Sequence, residues 1–510
     1  MFDLKKIIFV LAILGFSINS FAQSFDSTAW KYAKTIKAKE IKYHINILAS
    51  DEFEGRETGE KGQQLARNYI RNEFIKYRIP DYRGNEYIQW FSLVEQENNG
   101  VEVKVNGNAF YLQEDFIMKP SVVNNQTKKL ELVFVGYGVE EESLNSYESI
   151  DVKGKAVLLW NEKPKEVKLE KEWTVKDKIK LAKEKGAAAV FYLDENLEKH
   201  LEKYAHYYEK PRTELFDGEL ANEQQFYTFR ISEKMAESLL KEGKVKFKKL
   251  KKKGVQKKDS FSETIELTIN KPNKRLGGEN VMAFIRGAEK PEEVIILTAH
   301  YDHLGVKDSM VYNGADDNGT GTAALLEMAQ AFKQAADDGF RPKRSIVIMA
   351  VSGEEKGLLG SSFYVNNPVF PLENTVTNLN VDMIGRYDNA HKNDSNYVYL
   401  IGSDKLSDDL HKLSEKVNET YMNIGLDYTY NAEDDPNRFY YRSDHYNFAK
   451  NNVPVIFYFS GVHEDYHRPS DTVEKIDFDK TARITKLIFL TAWEIANRDE
   501  RIQLNEKQAD

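Results

Sequence analysis

Apolar positions recur at helical spacing over residues 27–48 and again over 62–77, where Leu65, Tyr69, Phe74 and Ile75 share one face. The segment between them, LASDEFEGRETGEKG, is polar and punctuated by glycine, which predicts a loop. From about Glu131 the apolar runs shorten. LELVFVGYGV and GKAVLLW read as strands, IKLAKEKG as a helix closed by Gly186, and AAAVFYL as another strand, together a small α/β unit. The lysine-dense stretch 241–258 carries Val245 and Phe247 at period two, which predicts a strand with a solvated face. After residues 280–286, EVIILTAH is the nearly continuous apolar run of a strand buried on both sides. A helix over about 320–335 follows, then the strands SIVIMAVSG, TNLNVDM, YVYLI and VPVIFYF, and a closing helix near 481–497. Strands alternating with helices predict a doubly wound α/β sheet, in which ligands gather beyond the carboxyl ends of the strands.

Length and composition narrow the picture. At 510 residues the chain exceeds what one core serves, and 41% hydrophobic with 12% aromatic residues can fill two. A formal net charge of −9 excludes general nucleic-acid affinity, which requires a basic surface. The chain opens with Lys5 and Lys6, an apolar run from Ile7 to Phe16, and the small-residue site Ser20-Phe21-Ala22. That order predicts a secretory signal cleaved after Ala22, and the apolar run is too short for stable membrane insertion. Cysteine is absent, which removes disulfides, thiolate zinc ligands and cysteine nucleophiles together.

Five side chains of metal-binding type then stand at or near the ends of predicted strands, in the order His, Asp, Glu, Asp, His. They are His300 in TAHYDHLG, Asp316 in NGADDNGTG, Glu355 in VSGEEKG, Asp382 in NVDMIG and His467 in DYHRPSDT. Two imidazoles and three carboxylates can hold two zinc ions if one carboxylate bridges. Asp302 lies close enough to His300 to orient its ring through the second nitrogen. Of the adjacent Glu354 and Glu355, mutual repulsion favours one on metal and one free for proton transfer. Asp317 or Asn318 suits a helix cap, which leaves Asp316 as the metal candidate. His303 reads as packing or surface. His463 and His467 both belong to the last element, and neither stands out alone.

TAHYDHLG, NGADDNGTG, GEEKGLLGS, NVDMIGR and YHRPSDT resemble the five signature elements of the M28 zinc peptidases, over about residues 275–500. The LASDEFEGRETGEKG loop is similar to that of the family's bacterial members, and FVGYGVE, DVKGKAVLLW and AKEKGAAAVFYL resemble a protease-associated domain. The resemblance implies a mixed sheet of the zinc-dependent exopeptidase type with a smaller α/β insert. Its segments would be a signal peptide over 1–22, peptidase residues 23–115, a protease-associated insert over 116–270, the metal-bearing peptidase part over 271–500 and a tail over 501–510. It further implies that Asp316 bridges two zinc ions, that His300 and Asp382 complete one position, and that Glu355 and His467 complete the other. Glu354 would be the general base and Asp302 the acid behind His300, with a cis peptide between Asp316 and Asp317. The expected activity is that of an exported, periplasmic or secreted aminopeptidase acting on peptides. A glutaminyl-cyclase-like transferase on the same fold, a carboxypeptidase or dipeptidase, and a non-catalytic binding protein are the alternatives.

Overall fold

The computed structural model describes residues 25–506 apart from 83, 85, 120, 165–166, 195, 219–225, 243, 254, 256–260 and 393. The expected signal over 1–22 lies outside the described residues. No helix among them is long and apolar enough to cross a membrane. The chain divides into two units, one formed by residues 1–89 and 279–510, the other by 90–278.

In the first unit the strand Lys290–His300 lies between two parallel partners, Arg344–Val351 and Thr375–Val381. Outward from these, residues 281–285 of Asn273–Ile285 pair antiparallel with Arg344–Val351. On the other side Val455–Phe459 runs parallel to Thr375–Val381, and Tyr397–Ile401 runs antiparallel to Val455–Phe459. The sheet is thus mixed, with its central strands parallel.

Both faces of those central strands are covered, which is why EVIILTAH and SIVIMAVSG carry continuous apolar runs, while in Thr375–Val381 the alternating Asn378 and Asn380 are buried and hydrogen-bonded to Thr298. Ile295, Leu297, Ala299, Ile346, Ile348 and Ala350 pack into one cluster with the helices Ala38–Leu48, Lys61–Lys76, Gly321–Asp337 and Phe478–Asn497. Val294, Ile296, Val347, Met349 and Val351 point the other way, toward Tyr364 and Val365 of the helix Leu359–Asn366 and Phe448 of the helix His445–Ala449. The helix expected over 27–48 is two helices, Ser27–Ala33 and Ala38–Leu48, with Asp26 capping the first through the amide of Thr28. The parallel core strands end at one edge, and His300, the Glu354–Glu355 pair and Asp382 sit on the turns that leave it.

The second unit holds an eight-stranded sheet. Gln126–Phe134, Ala156–Leu159, Ala189–Leu193 and Tyr227–Ile231 are parallel neighbours, while Ser262–Ile269 runs antiparallel to Gln126–Phe134 and Val101–Val105. That last pairing places residues 101–105 in the second unit's sheet, ahead of the boundary expected at 116. The helix Val175–Glu184 starts at a reciprocal cap in which Thr174 and Asp177 bond each other's backbone. The lysine-dense stretch is helical, not a strand. Phe247–Lys253 forms nearly two turns in which Phe247 and Leu250, three apart, are buried while the lysines between them face water. Val245, the other residue of the expected period-two pair, is buried just before the helix.

Leu297 is fully buried at the centre of the first unit's sheet. Its truncation to Ala is expected to cost about 2–5 kcal/mol, read as a lower denaturant midpoint at unchanged slope.

Candidate metal centre

The crevice forms where side chains from five separate segments meet. His300 closes its strand with the ring buried, and its Nε2 lies 3.3 Å from Asp382 Oδ1 and 3.4 Å from Asp317 Oδ1. The other oxygen of Asp317, Oδ2, lies 3.2 Å from His467 Nε2, which is also 3.2 Å from Glu355 Oε2. One carboxylate therefore faces both imidazoles, an oxygen to each. Two donor sets follow, His300 with Asp317 and Asp382, and Glu355 with Asp317 and the imidazoles of His303 and His467.

This arrangement corrects the assignment of Asp316. Its carboxylate points away from the crevice, accepting hydrogen bonds from the Gly385 amide at 2.7 Å and the Thr320 hydroxyl at 3.1 Å, with its other oxygen 3.2 Å from His463 Nε2. The two neighbouring aspartates diverge, so Asp317 pairs with His467 inside the crevice while Asp316 pairs with His463 behind it. The cis peptide likewise falls between Asp317 and Asn318, one residue later than expected. Asn318 accepts from the Gly321 amide at 2.9 Å, although the residue that caps the helix Gly321–Asp337 by position is Thr320. Asp471, just past the Pro469-Ser470 turn, fixes the divergence by accepting the amides of both Asp316 and Asp317 at 3.1 Å.

Asp302 is fully buried, with its carboxylate oxygen Oδ1 3.8 Å from His300 Nδ1. It accepts from the Thr58 hydroxyl at 2.7 Å and the Glu354 amide at 3.2 Å, while His300 Nδ1 sits 3.1 Å from the main-chain oxygen of Asp302. Asp382 is steadied by the Ser443 hydroxyl at 2.8 Å, which in turn accepts from Asn380. His303, expected to be packing or surface, is buried with Nδ1 2.9 Å from Glu355 Oε1. Glu355 thus turns one oxygen to His303 and the other to His467.

Electrostatics separate the two glutamates. Burial drives the Glu354 carboxyl well above the usual range, opposed by His300 and reinforced by Glu355 and Asp382. Burial would raise Glu355 as well, but His303 and His467 hold it well below. Burial would lower the histidines, yet Asp382 and Glu354 keep His300 well above 6.5, and Asp317 and Glu355 hold His467 up to about 10. Burial also pushes Asp444, beneath His300, up to about 7. So much negative charge in one crevice selects a cation, and the mixture of imidazole and carboxylate donors suits zinc.

The loop 50–59 organises the crevice from outside. Arg56, 1% exposed, donates to the main-chain oxygens of Tyr301 at 2.8 Å, Asn313 at 2.7 Å and Gly314 at 2.9 Å, as well as to Leu48. It therefore ties the His300 turn to the Asp317 turn. Burial lowers its guanidinium to about 10, with Asp317, Asp471 and Asp302 opposing. Gly55 makes this fit possible, because a Cβ there would stand 2.5 Å from the carbonyl oxygens of Gly305 and Tyr312. Thr58 links the same loop to the glutamate turn by accepting from the Gly353 amide.

The chain is similar to known proteins. The model of Peptidase family M28 matches residues 280–492, and that part of the chain has the M28 metallopeptidase fold. An aminopeptidase from Aneurinibacillus sp. strain AM-1 superposes with a TM-score of 0.52 at 17% identity, covering 94% of this chain and 98% of that one. A probable zinc metalloprotease of Leptosphaeria maculans is 30% identical over 261 residues, 42% of this chain and 57% of the relative. Aminopeptidase YwaD of Bacillus subtilis is 26% identical over 275 residues, 50% of this chain and 53% of the relative. The chain thus spans a little over half the length of these two relatives.

Replacing Arg56 by Met leaves several buried carbonyls without a donor, so a loss of at least about 3 kcal/mol is expected in equilibrium unfolding. Arg56→Lys, with fewer donors to share, should fall between Met and wild type.

Proposed function

We propose that the chain is a di-zinc metallopeptidase that removes N-terminal residues from peptides. His300, Asp317 and Asp382 would hold one ion, Glu355, His467 and the shared Asp317 the other. The observation that carries the reading is Asp317 facing both imidazoles while the adjacent Glu354 stands outside both donor sets. Bound here, a zinc pair supplies Lewis-acid polarisation of the scissile carbonyl and a lowered pKa for attacking water. Glu354 lines the same cavity, and its raised proton affinity suits a general base. It takes a proton from water as the water oxygen bonds to the carbonyl carbon, then delivers it to the amine as the C–N bond breaks. Asp302 holds the Glu354 amide and Ser443 holds Asp382, so the chain keeps both carboxylates aimed. The names of the Aneurinibacillus and Bacillus relatives favour the aminopeptidase mode.

The parallel strands with flanking helix in 126–231 support reading the insert as a protease-associated domain. The order of lysines, apolar run and small residues at the N-terminus supports export to the periplasm or exterior.

Glu354→Gln should retain two zinc ions per chain by elemental analysis while turnover of an unblocked peptide falls by about 10²–10⁴-fold. Wild-type rate in that variant, or equal cleavage of N-acetylated peptides, would overturn the base or the aminopeptidase mode respectively. Because the His467 imidazole is held up to about 10, zinc must displace a proton below that pH. Zinc affinity measured by chelator competition is therefore expected to rise as pH increases from 6 to 9.

A further inference from the structure

The cavity over the crevice has one apolar wall, formed by Met383, Phe439, Phe457, Phe459 and Val462. At its rim stands Arg442, an exposed cation. The same arginine also lines a second hollow, with Asp388, Tyr430 and Asn437, and the two hollows share Phe439, Val462 and Tyr466. Arg442 thus lines both the cavity that contains Glu354 and the hollow beside it.

Its surroundings hold it in place without neutralising it. The guanidinium lies over the Phe439 ring, 4.7 Å from the centroid, and one nitrogen is 3.5 Å from the Tyr466 hydroxyl. Tyr466 in turn stacks on His467 at 3.8 Å. No aspartate or glutamate among the described residues pairs with Arg442. The nearby carboxylates are engaged elsewhere, Asp382 by Ser443 and His300, Glu355 by His303 and His467, Asp388 by Tyr399 and the amides of Ala390 and His391. A planar, permanently charged fork already laid on an aromatic face loses little freedom on taking up a carboxylate in bidentate fashion.

We infer that Arg442 is a specificity residue that reads a carboxylate of the bound peptide, so that the preferred substrates pair an apolar residue in the Phe439–Phe459 pocket with an anionic group beside it. This rests on the peptidase reading above. The carboxylate could come from the C-terminus of a dipeptide or from an acidic second side chain, and the recognising chemistry is the same.

The test uses the full-length, zinc-loaded chain and two substrate pairs, Leu-Gly against Leu-Gly-amide and Leu-Glu-amide against Leu-Gln-amide. Wild type is expected to favour the anionic member of at least one pair by about tenfold in kcat/KM, chiefly through KM. In Arg442→Gln that ratio should collapse to near one, and Arg442→Lys should restore part of it. The first pair reports the terminal carboxylate and the second the side chain. The same four peptides are titrated calorimetrically into Glu354→Gln, which leaves them intact. Ratios near one in the wild type, or a ratio that survives in Arg442→Gln, overturn the inference. Discrimination in binding with no turnover by wild type would support the role of Arg442 while removing the hydrolase reading. Turnover without discrimination would do the reverse.

Discussion

Carboxyl groups at the ends of the central strands are packed more closely than water-poor surroundings allow unless something positive joins them. Asp317, Glu354 and Asp382 line one crevice with Glu355, Asp302 and Asp444 buried close by, answered within the chain by His300, His303, His467 and, from outside the crevice, the enclosed guanidinium of Arg56. Like charges at this density are costly in the interior. The parallel sheet makes the crowding unavoidable by ending several strands at one edge. The loops around it then decide which acid faces which base. The opposite shifts of Glu354 and Glu355, neighbours in sequence, are the clearest product of that sorting, since the same burial acts on both and only their partners differ.

The arrangement depends on parts that never enter the crevice. Arg56 and Thr58 belong to a loop more than two hundred residues before the turns they brace, and Asp471 holds the amides of an aspartate pair far upstream. All three act on backbone groups. They fix where the main chain runs, so that short side chains such as Asp317 have only one direction left to take.

Much of the fold was legible because apolar runs on a doubly covered sheet are distinctive, and the turns after EVIILTAH, SIVIMAVSG and TNLNVDM marked where chemistry would gather. What escaped was direction. Between Asp316 and Asp317, composition offers no preference, and the choice follows from the Asp471 contacts, which pattern cannot supply. His303 looked expendable because its value depends on a distant glutamate. Arg56 sat in a loop whose polarity suggested solvent, although an arginine between two glycine-rich turns is a signal for a backbone clamp. Val245 and Phe247 fitted period two because two residues are too few to fix a period; only Phe247 enters the helix, where Leu250 shares its buried face.

The clamp at Arg56 and the imidazole at His467 lie near opposite ends of a chain made from its N-terminus onward. An emerging polypeptide therefore owns its bracing arginine long before it owns the histidine that completes the donor set. Until residue 467 has been delivered and folded back, the carboxylates face one another without their second imidazole. The nascent chain therefore carries an incomplete donor set until its last elements have folded.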